Sequence, residues 1–251
     1  MAKSSARQRL SCPRICNTLE ESNRFMDFIF MLTRDDQTVV DCLQLVDEID
    51  DVPLAHIGFK DVGVEIETLK SLHGALRDRG VQTYLEVVST TKEAALRSAR
   101  AGRDLGVDWL MGGIWVPETL EILDGCDTRY LPFPGNPVGH PTVLGGTAES
   151  VAEDTARYER AGAAGVDILA FRATEADPMA LIRAARNATS GRIVVAGSIN
   201  NPSQIKAVKD AGADGFTIGQ AALSGTFTPS KGTLRGQLQD ILESVADSNT
   251  A

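Results

Sequence analysis

Histidine and cysteine are scarce here, at three and four in 251 residues. Cys12 and Cys16 are four apart, but no second Cys or His pair stands near them at zinc-site spacing. A metal site is therefore not expected, and the thiols read as reduced cysteines of a cytosolic protein. No apolar run reaches the ~18 residues of a membrane span. Residues 1–10 are polar and lack the apolar core of a signal peptide. A cytoplasmic location is expected. Positive charge is also in deficit, since 25 Lys and Arg against 34 Asp and Glu give a net charge of −9. That balance argues against a nucleic-acid surface and against a polybasic membrane face. It leaves room for an anionic small ligand, because the field in a site is local.

What the chain does have is alternation. Short apolar runs, each suited to a strand buried on both faces, alternate with stretches of helical periodicity. The strands are expected at 25–33, 55–60, 82–89, 108–113, 129–133, 167–172, 192–197 and 214–219. Thr142-Val-Leu144 is an alternative fifth strand. Thr33-Arg-Asp-Asp-Gln37 offers caps for the first helix, and Ser89-Thr-Thr-Lys-Glu93 resembles a capping box. Gly106-Val-Asp108, Gly165-Val-Asp167 and Gly212-Ala-Asp214 form a small repeat. Each is expected to close a helix with a left-handed Gly and to start a strand with Asp, far from any active site. Eight such units imply a (β/α)8 TIM barrel in a single domain over 23–251, after a short N-terminal extension at 1–22. No Gly-x-Gly-x-x-Gly turn follows the first strand, which disfavours the open doubly wound sheet. Acidic, compact barrels often self-associate, so a homo-oligomer is a further possibility.

The last two units carry the clearest ligand signal. Gly197 and Gly219 each end a short apolar strand, where backbone can approach a ligand without a Cβ in the way. Backbone N–H groups after such strands make an anion site. Val194-Val-Ala-Gly-Ser-Ile199 with Asn201-Pro-Ser203, then Gly212-Ala-Asp-Gly-Phe-Thr-Ile-Gly-Gln-Ala221, resembles the paired phosphate motif of the ribulose-phosphate-binding barrels. Ser89-Thr-Thr-Lys-Glu-Ala94 and Gly106-Val-Asp-Trp-Leu-Met-Gly-Gly113 are similar to the middle of the N-acylmannosamine-phosphate 2-epimerases. The resemblance implies a phosphate held by Gly197, Ser198, Gly219 and Gln220. It does not carry over the epimerases' catalytic glutamate, because Gly197-Ser198 stands where they have an acid.

The remaining candidates come from the strands. Lys60 ends the second strand at the rim where barrel catalysis occurs. It reads as a Schiff-base nucleophile, a general acid or an anion clamp, or else as a rim lysine paired with Asp61 or with a neighbouring acid. Glu86 interrupts an apolar run on the third strand, which places it inside the barrel near Lys60. Such a pair can divide the acid and base roles of proton transfer beside a carbonyl, or be a structural ion pair. Arg172, ending Leu169-Ala-Phe-Arg172, suits a carboxylate, phosphate or enolate oxygen. Its plainer reading is a salt bridge to Glu86 or Glu175. His140, in the Gly- and Pro-rich loop after the fifth strand, has the right range for acid–base work. Arg34 is a lesser rim candidate, and His73 is expected on a helix surface. Nothing marks a flavin ring site, and no cofactor is expected. The expected function is an enzyme acting on a small phosphorylated sugar or phosphorylated carbonyl compound. An isomerase or epimerase working through an enediolate leads. A Schiff-base aldolase or lyase using Lys60 and a non-catalytic phosphate-binding barrel are the alternatives.

Overall fold

The computed structural model describes residues 25–250. The N-terminal extension expected at 1–22, with Cys12 and Cys16, lies outside the described residues. Eight parallel strands build the sheet: β1 (Asp27–Met31), β2 (His56–Lys60), β3 (Gln82–Val87), β4 (Trp109–Gly112), β5 (Arg129–Leu131), β6 (Gly165–Ile168), β7 (Arg192–Val195) and β8 (Gly215–Ile218). They are hydrogen-bonded in the order β6-β7-β8-β1-β2-β3-β4-β5. Ala164 N–H donates to the Tyr130 carbonyl at 2.9 Å and Asp167 N–H to that of Pro132 at 3.0 Å, which joins the two ends into a barrel. Helices α1 (Cys42–Glu48), α2 (Ile66–Asp78), α3 (Lys92–Leu105), α4 (Val116–Leu123), α5 (Ala148–Ala161), α6 (Pro178–Ala188), α7 (Pro202–Asp210), α8 (Gln220–Leu223) and α9 (Leu234–Thr250) follow the strands. None of these helices is long and apolar enough to cross a membrane.

Strand alternation sorts the side chains into two cores. Ile57, Phe59, Leu85, Val87, Val166 and Ile168 point outward into the layer between sheet and helices. Ile29, Met31, Tyr84, Trp109, Met111, Leu131 and Val194 fill the barrel interior. Lys60, Glu86 and Asp167 alternate with the outward set, so they project into the barrel. Gly58 makes room on that face, because a Cβ there would lie 2.3 Å from the Met31 sulfur. The helix starts follow from local chemistry. Thr91, Asp177 and Asn201 each cap the N–H three residues on, satisfying a donor that the helix leaves free.

Two segments differ from the expectations above, and the choice between two fifth strands is decided for the first. Thr33–Arg34 and Gln37–Thr38 form an antiparallel hairpin rather than a helix start. Asp35 and Asp36 are its turn, with φ of 50° and 63°, the positive pair that two-residue hairpins require. The fifth barrel strand is Arg129–Leu131, whereas Val143–Gly145 pairs with Asn136–Val138 in a second hairpin. The sixth strand starts at Gly165 and stops at Ile168, and Ala170–Arg172 is a 3-10 turn. The middle copy of the glycine–aspartate repeat is therefore displaced. Gly106 and Gly162 cap α3 and α5 in left-handed geometry, so Ala164 occupies the place that Asp108 has after Gly106. Asp167 lies three residues further up, inside the barrel.

Gly165 is pinned by its surroundings. Its φ is 151°, and a Cβ there would fall 1.8 Å from the Arg192 carbonyl oxygen. Gly165→Ala is expected to lower stability by about 3 kcal/mol or more, from backbone strain plus overlap. Urea unfolding followed by circular dichroism measures this, and an unchanged midpoint would refute the tight β6–β7 contact.

Candidate active site

A cavity of about 360 Å³ opens at the C-terminal rim of β1, β2, β3, β7 and β8. Met31, Lys60, Glu86, Leu169, Arg172 and Thr217 line its inner part, and Gly197, Ser198, Gly219 and Gln220 line its mouth. This is the face where barrel enzymes carry their chemistry.

Lys60 sits at the centre of the polar wall. It pairs in register with Glu86 across β2 and β3, and its Nζ lies 3.2 Å from the Glu86 carboxylate. Its closer partner is Asp36, with which it forms a very short ion pair. Of the two pairings the sequence offered, the one with a neighbouring acid occurs and the one with Asp61 does not. Asp61 instead accepts from the Val88 amide and the Ser89 and Ser98 hydroxyls. Arg172 donates to Asp36 at 3.1 Å and to the Thr142 carbonyl at 3.2 Å. Asp36, rather than Glu86 or Glu175, is thus its anionic partner. Thr142 N–H completes the ring by donating to Asp36 at 3.2 Å. Asp36 ties the first hairpin, β2, the turn after β6 and the second hairpin into one network.

Burial acts on these groups in opposite directions. It pushes the Asp36 carboxyl up, but Lys60, Arg172 and the Thr142 amide outweigh it and hold Asp36 below its ordinary value of 3.8. Burial lowers Lys60, yet Glu86 and Asp36 more than restore it, so the ammonium stays charged. Glu86 is raised above its ordinary value by burial, with Lys60 opposing and Asp36 adding to the rise. Asp167 is raised furthest, by burial and then by the Glu86 charge. Among the described residues, neither Asp167 oxygen has a hydrogen-bond partner.

The rim glycines differ in their work. A Cβ on Gly197 would lie 2.5 Å from Arg172 Nε, so this glycine lets the guanidinium lie flat against the β7 turn. Gly219 is hemmed in by the Met31 carbonyl and Thr33. The Gln220 side chain accepts from the Asp35 amide at 2.8 Å and fastens the first hairpin over the β8 turn. Ser198 is exposed with a φ of 60°. His140 is not among the cavity-lining residues, though Pro141 is; its Nδ1 lies 3.9 Å from Asp36. Arg34 is exposed on the hairpin and donates to the Leu223 carbonyl. His73, expected at a surface, is buried.

Sequence reasoning missed Asp36 and Asp167. A two-residue Asp-Asp turn between Thr-Arg and Gln-Thr was the available hairpin signal for the first. For the second, the signal was Gly162 three residues before Gly165.

No family model and no curated protein matches the sequence. Solved structures match in shape. Tryptophan synthase from M. tuberculosis aligns with a TM-score of 0.63 at 13% identity, over 90% of this chain and 93% of its own. Thiamine phosphate pyrophosphorylase from Pyrococcus furiosus aligns at 0.56 and 14%, over 90% and 98%. The Amycolatopsis orientalis BexX/CysO complex aligns at 0.56 and 18%, over 90% and 93%. At such identities the shared property is the barrel fold.

Removing the central cation tests the electrostatic account. Lys60→Met leaves Glu86 without its ion-pair partner and Asp36 with Arg172 alone, and should cost about 3–5 kcal/mol at neutral pH. The sign with pH follows from the shifts. Lys60 holds both Glu86 and Asp167 down, so its removal raises them further above their unfolded values, the folded variant takes up protons on them, and the deficit narrows as the pH falls from about 7 toward about 5. Asp36 stands below 3.8, so in the wild type its contribution persists until the pH falls past that value. Chemical denaturation at the two pH values measures both effects, and a deficit that widens on acidification would contradict them.

Proposed function

We propose that this chain is an isomerase or epimerase of a small phosphorylated carbonyl compound, such as a sugar phosphate, working through an enediolate. The observation that carries the reading is a single cavity with two unlike ends. Its mouth is backbone from the two glycine-ended strands, and its inner wall is two buried carboxylates, Asp36 and Glu86, beside two cations, Lys60 and Arg172. Phosphate at Gly197, Ser198, Gly219 and Gln220 would supply remote binding energy. Glu86, raised by burial, suits a general base. Lys60 or Arg172 would meet the charge that develops on the carbonyl oxygen. His140, beside Asp36 near the mouth, would serve as a second acid–base group reached by movement of the second hairpin. The barrels that match in shape include a thiamine phosphate pyrophosphorylase, whose name fits phosphate chemistry on this scaffold.

The aldolase or lyase alternative needs a neutral Lys60 amine as nucleophile. The two carboxylates that keep Lys60 charged disfavour it. A non-catalytic ligand-binding barrel predicts instead that Glu86 and Lys60 tolerate substitution.

Two measurements test the proposal. Glu86→Gln should abolish solvent deuterium incorporation into a bound phosphorylated carbonyl compound while keeping the ligand-induced rise in Tm. Undiminished exchange would remove Glu86 as the base. Ser198→Asp keeps a residue tolerant of the left-handed backbone and places an anion at the phosphate seat. It should abolish the Tm rise with phosphorylated ligands without lowering the Tm of the free protein by more than a degree or two, on the order of 0.5 kcal/mol. A retained rise would show that phosphate binds elsewhere.

A further inference from the structure

Asp167 is the group this reading leaves without a task. It is fully buried on the inward face of β6, two residues before Leu169 of the cavity wall. Both its oxygens lack partners among the described residues. An ionised carboxylate in that condition loses its hydration and gains nothing in return. The charges around it come from four elements. Lys60 of β2 and Arg172 of the 3-10 turn are positive, and Glu86 of β3, which projects into the same interior, is negative; all three act on Asp167 through their charge, while Asp36 of the first hairpin, also negative, is paired with both cations. The two cations and Asp36 leave one positive charge to balance. One further carboxylate balances it, and two would overshoot in a site cut off from water.

We propose that Glu86 and Asp167 hold one proton between them, carried by Asp167, so that a neutral Asp167 keeps Glu86 ionised as the base. Asp167 acts through Glu86 and is a positioning residue that touches no substrate atom. The inference rests on the enediolate reading for its consequence, though the shared proton itself belongs to the resting protein. In the exchange step the C–H bond beside the substrate carbonyl breaks and its proton passes to the Glu86 carboxylate. The released pair forms the C=C bond, and the carbonyl pair moves onto oxygen beside Lys60 or Arg172. Reprotonation at carbon reverses the transfer and nothing is oxidised. Because Asp167 is neutral throughout, the cluster gains one positive charge as the enediolate gains one negative. With Asp167 ionised the cluster would rise only from one negative charge to neutral and would offer the enediolate no net positive charge.

The test begins on the ligand-free protein. Infrared spectra at neutral pH, with ¹³C-labelled aspartate or glutamate, should show a protonated carboxyl band that shifts with the aspartate label and is lost in Asp167→Asn. Absence of the band, or a band that follows the glutamate label, overturns the proposal. The labelled wild type alone decides this if the variant does not fold. Kinetics give the second arm. Deuterium exchange in the wild type should fall on both acid and alkaline sides, and Asp167→Asn should lose the alkaline limb and keep the acid one. An unchanged alkaline limb overturns the role given to Asp167. An aspartate band in a protein that exchanges no phosphorylated carbonyl compound would support the shared proton and defeat the enediolate reading.

Discussion

Lys60 carries a positive charge inside the barrel, and the surrounding architecture is arranged around that charge. A lone ammonium in this position would lose its hydration without compensation. Asp36 and Glu86 supply the compensation from two directions, one from a hairpin above the rim and one from the neighbouring strand. Arg172 then shares Asp36, and Thr142 holds both through its backbone. Elements far apart in sequence thus meet at one carboxylate. Buried networks of this kind seldom add net stability over an apolar core. Their presence at the rim, where ligands enter, fits a role in chemistry better than a role in folding.

The rim glycines serve the same network. Gly197 is needed because Arg172 lies against it, and Gly219 because the end of β1 passes close by. Both also leave backbone exposed at the cavity mouth. Gly197 therefore makes room for the guanidinium, and the two glycines together shape the seat proposed for phosphate. Gln220 adds a link by fastening the hairpin that carries Asp36. Such coupling makes the mouth and the inner wall one mechanical unit.

The barrel was legible in the sequence because its strands are mostly apolar and four of its helices, α3, α5, α6 and α7, are capped by Thr, Asp or Asn. The Lys60–Glu86 pair was legible because β2 and β3 are sequential and each breaks an apolar run near its end. Asp36 was not, because Thr-Arg-Asp-Asp-Gln supports a helix cap as readily as a tight turn, and local propensity does not choose between them. Arg172 was found, but its partner was misassigned, since that partner lies 136 residues away. Asp167 was hidden by a repeat. Its Gly-Val-Asp matches two helix-closing segments, while the true helix stop lies three residues earlier at Gly162. Long-range closure, not local pattern, puts Asp167 in the interior.

In the proposed function one cavity holds phosphate at its mouth and a carbonyl against Glu86 and Lys60. A crystal structure of the protein with a phosphorylated α-hydroxy ketone tests it most directly. Phosphate is expected between the Gly197-Ser198 and Gly219-Gln220 turns, with the carbonyl oxygen within hydrogen-bonding distance of Lys60 or Arg172. Phosphate bound instead on the outer groove between α2 and α3, where Lys70, Arg77, Arg97 and Arg100 gather, with the rim cavity empty, would contradict it.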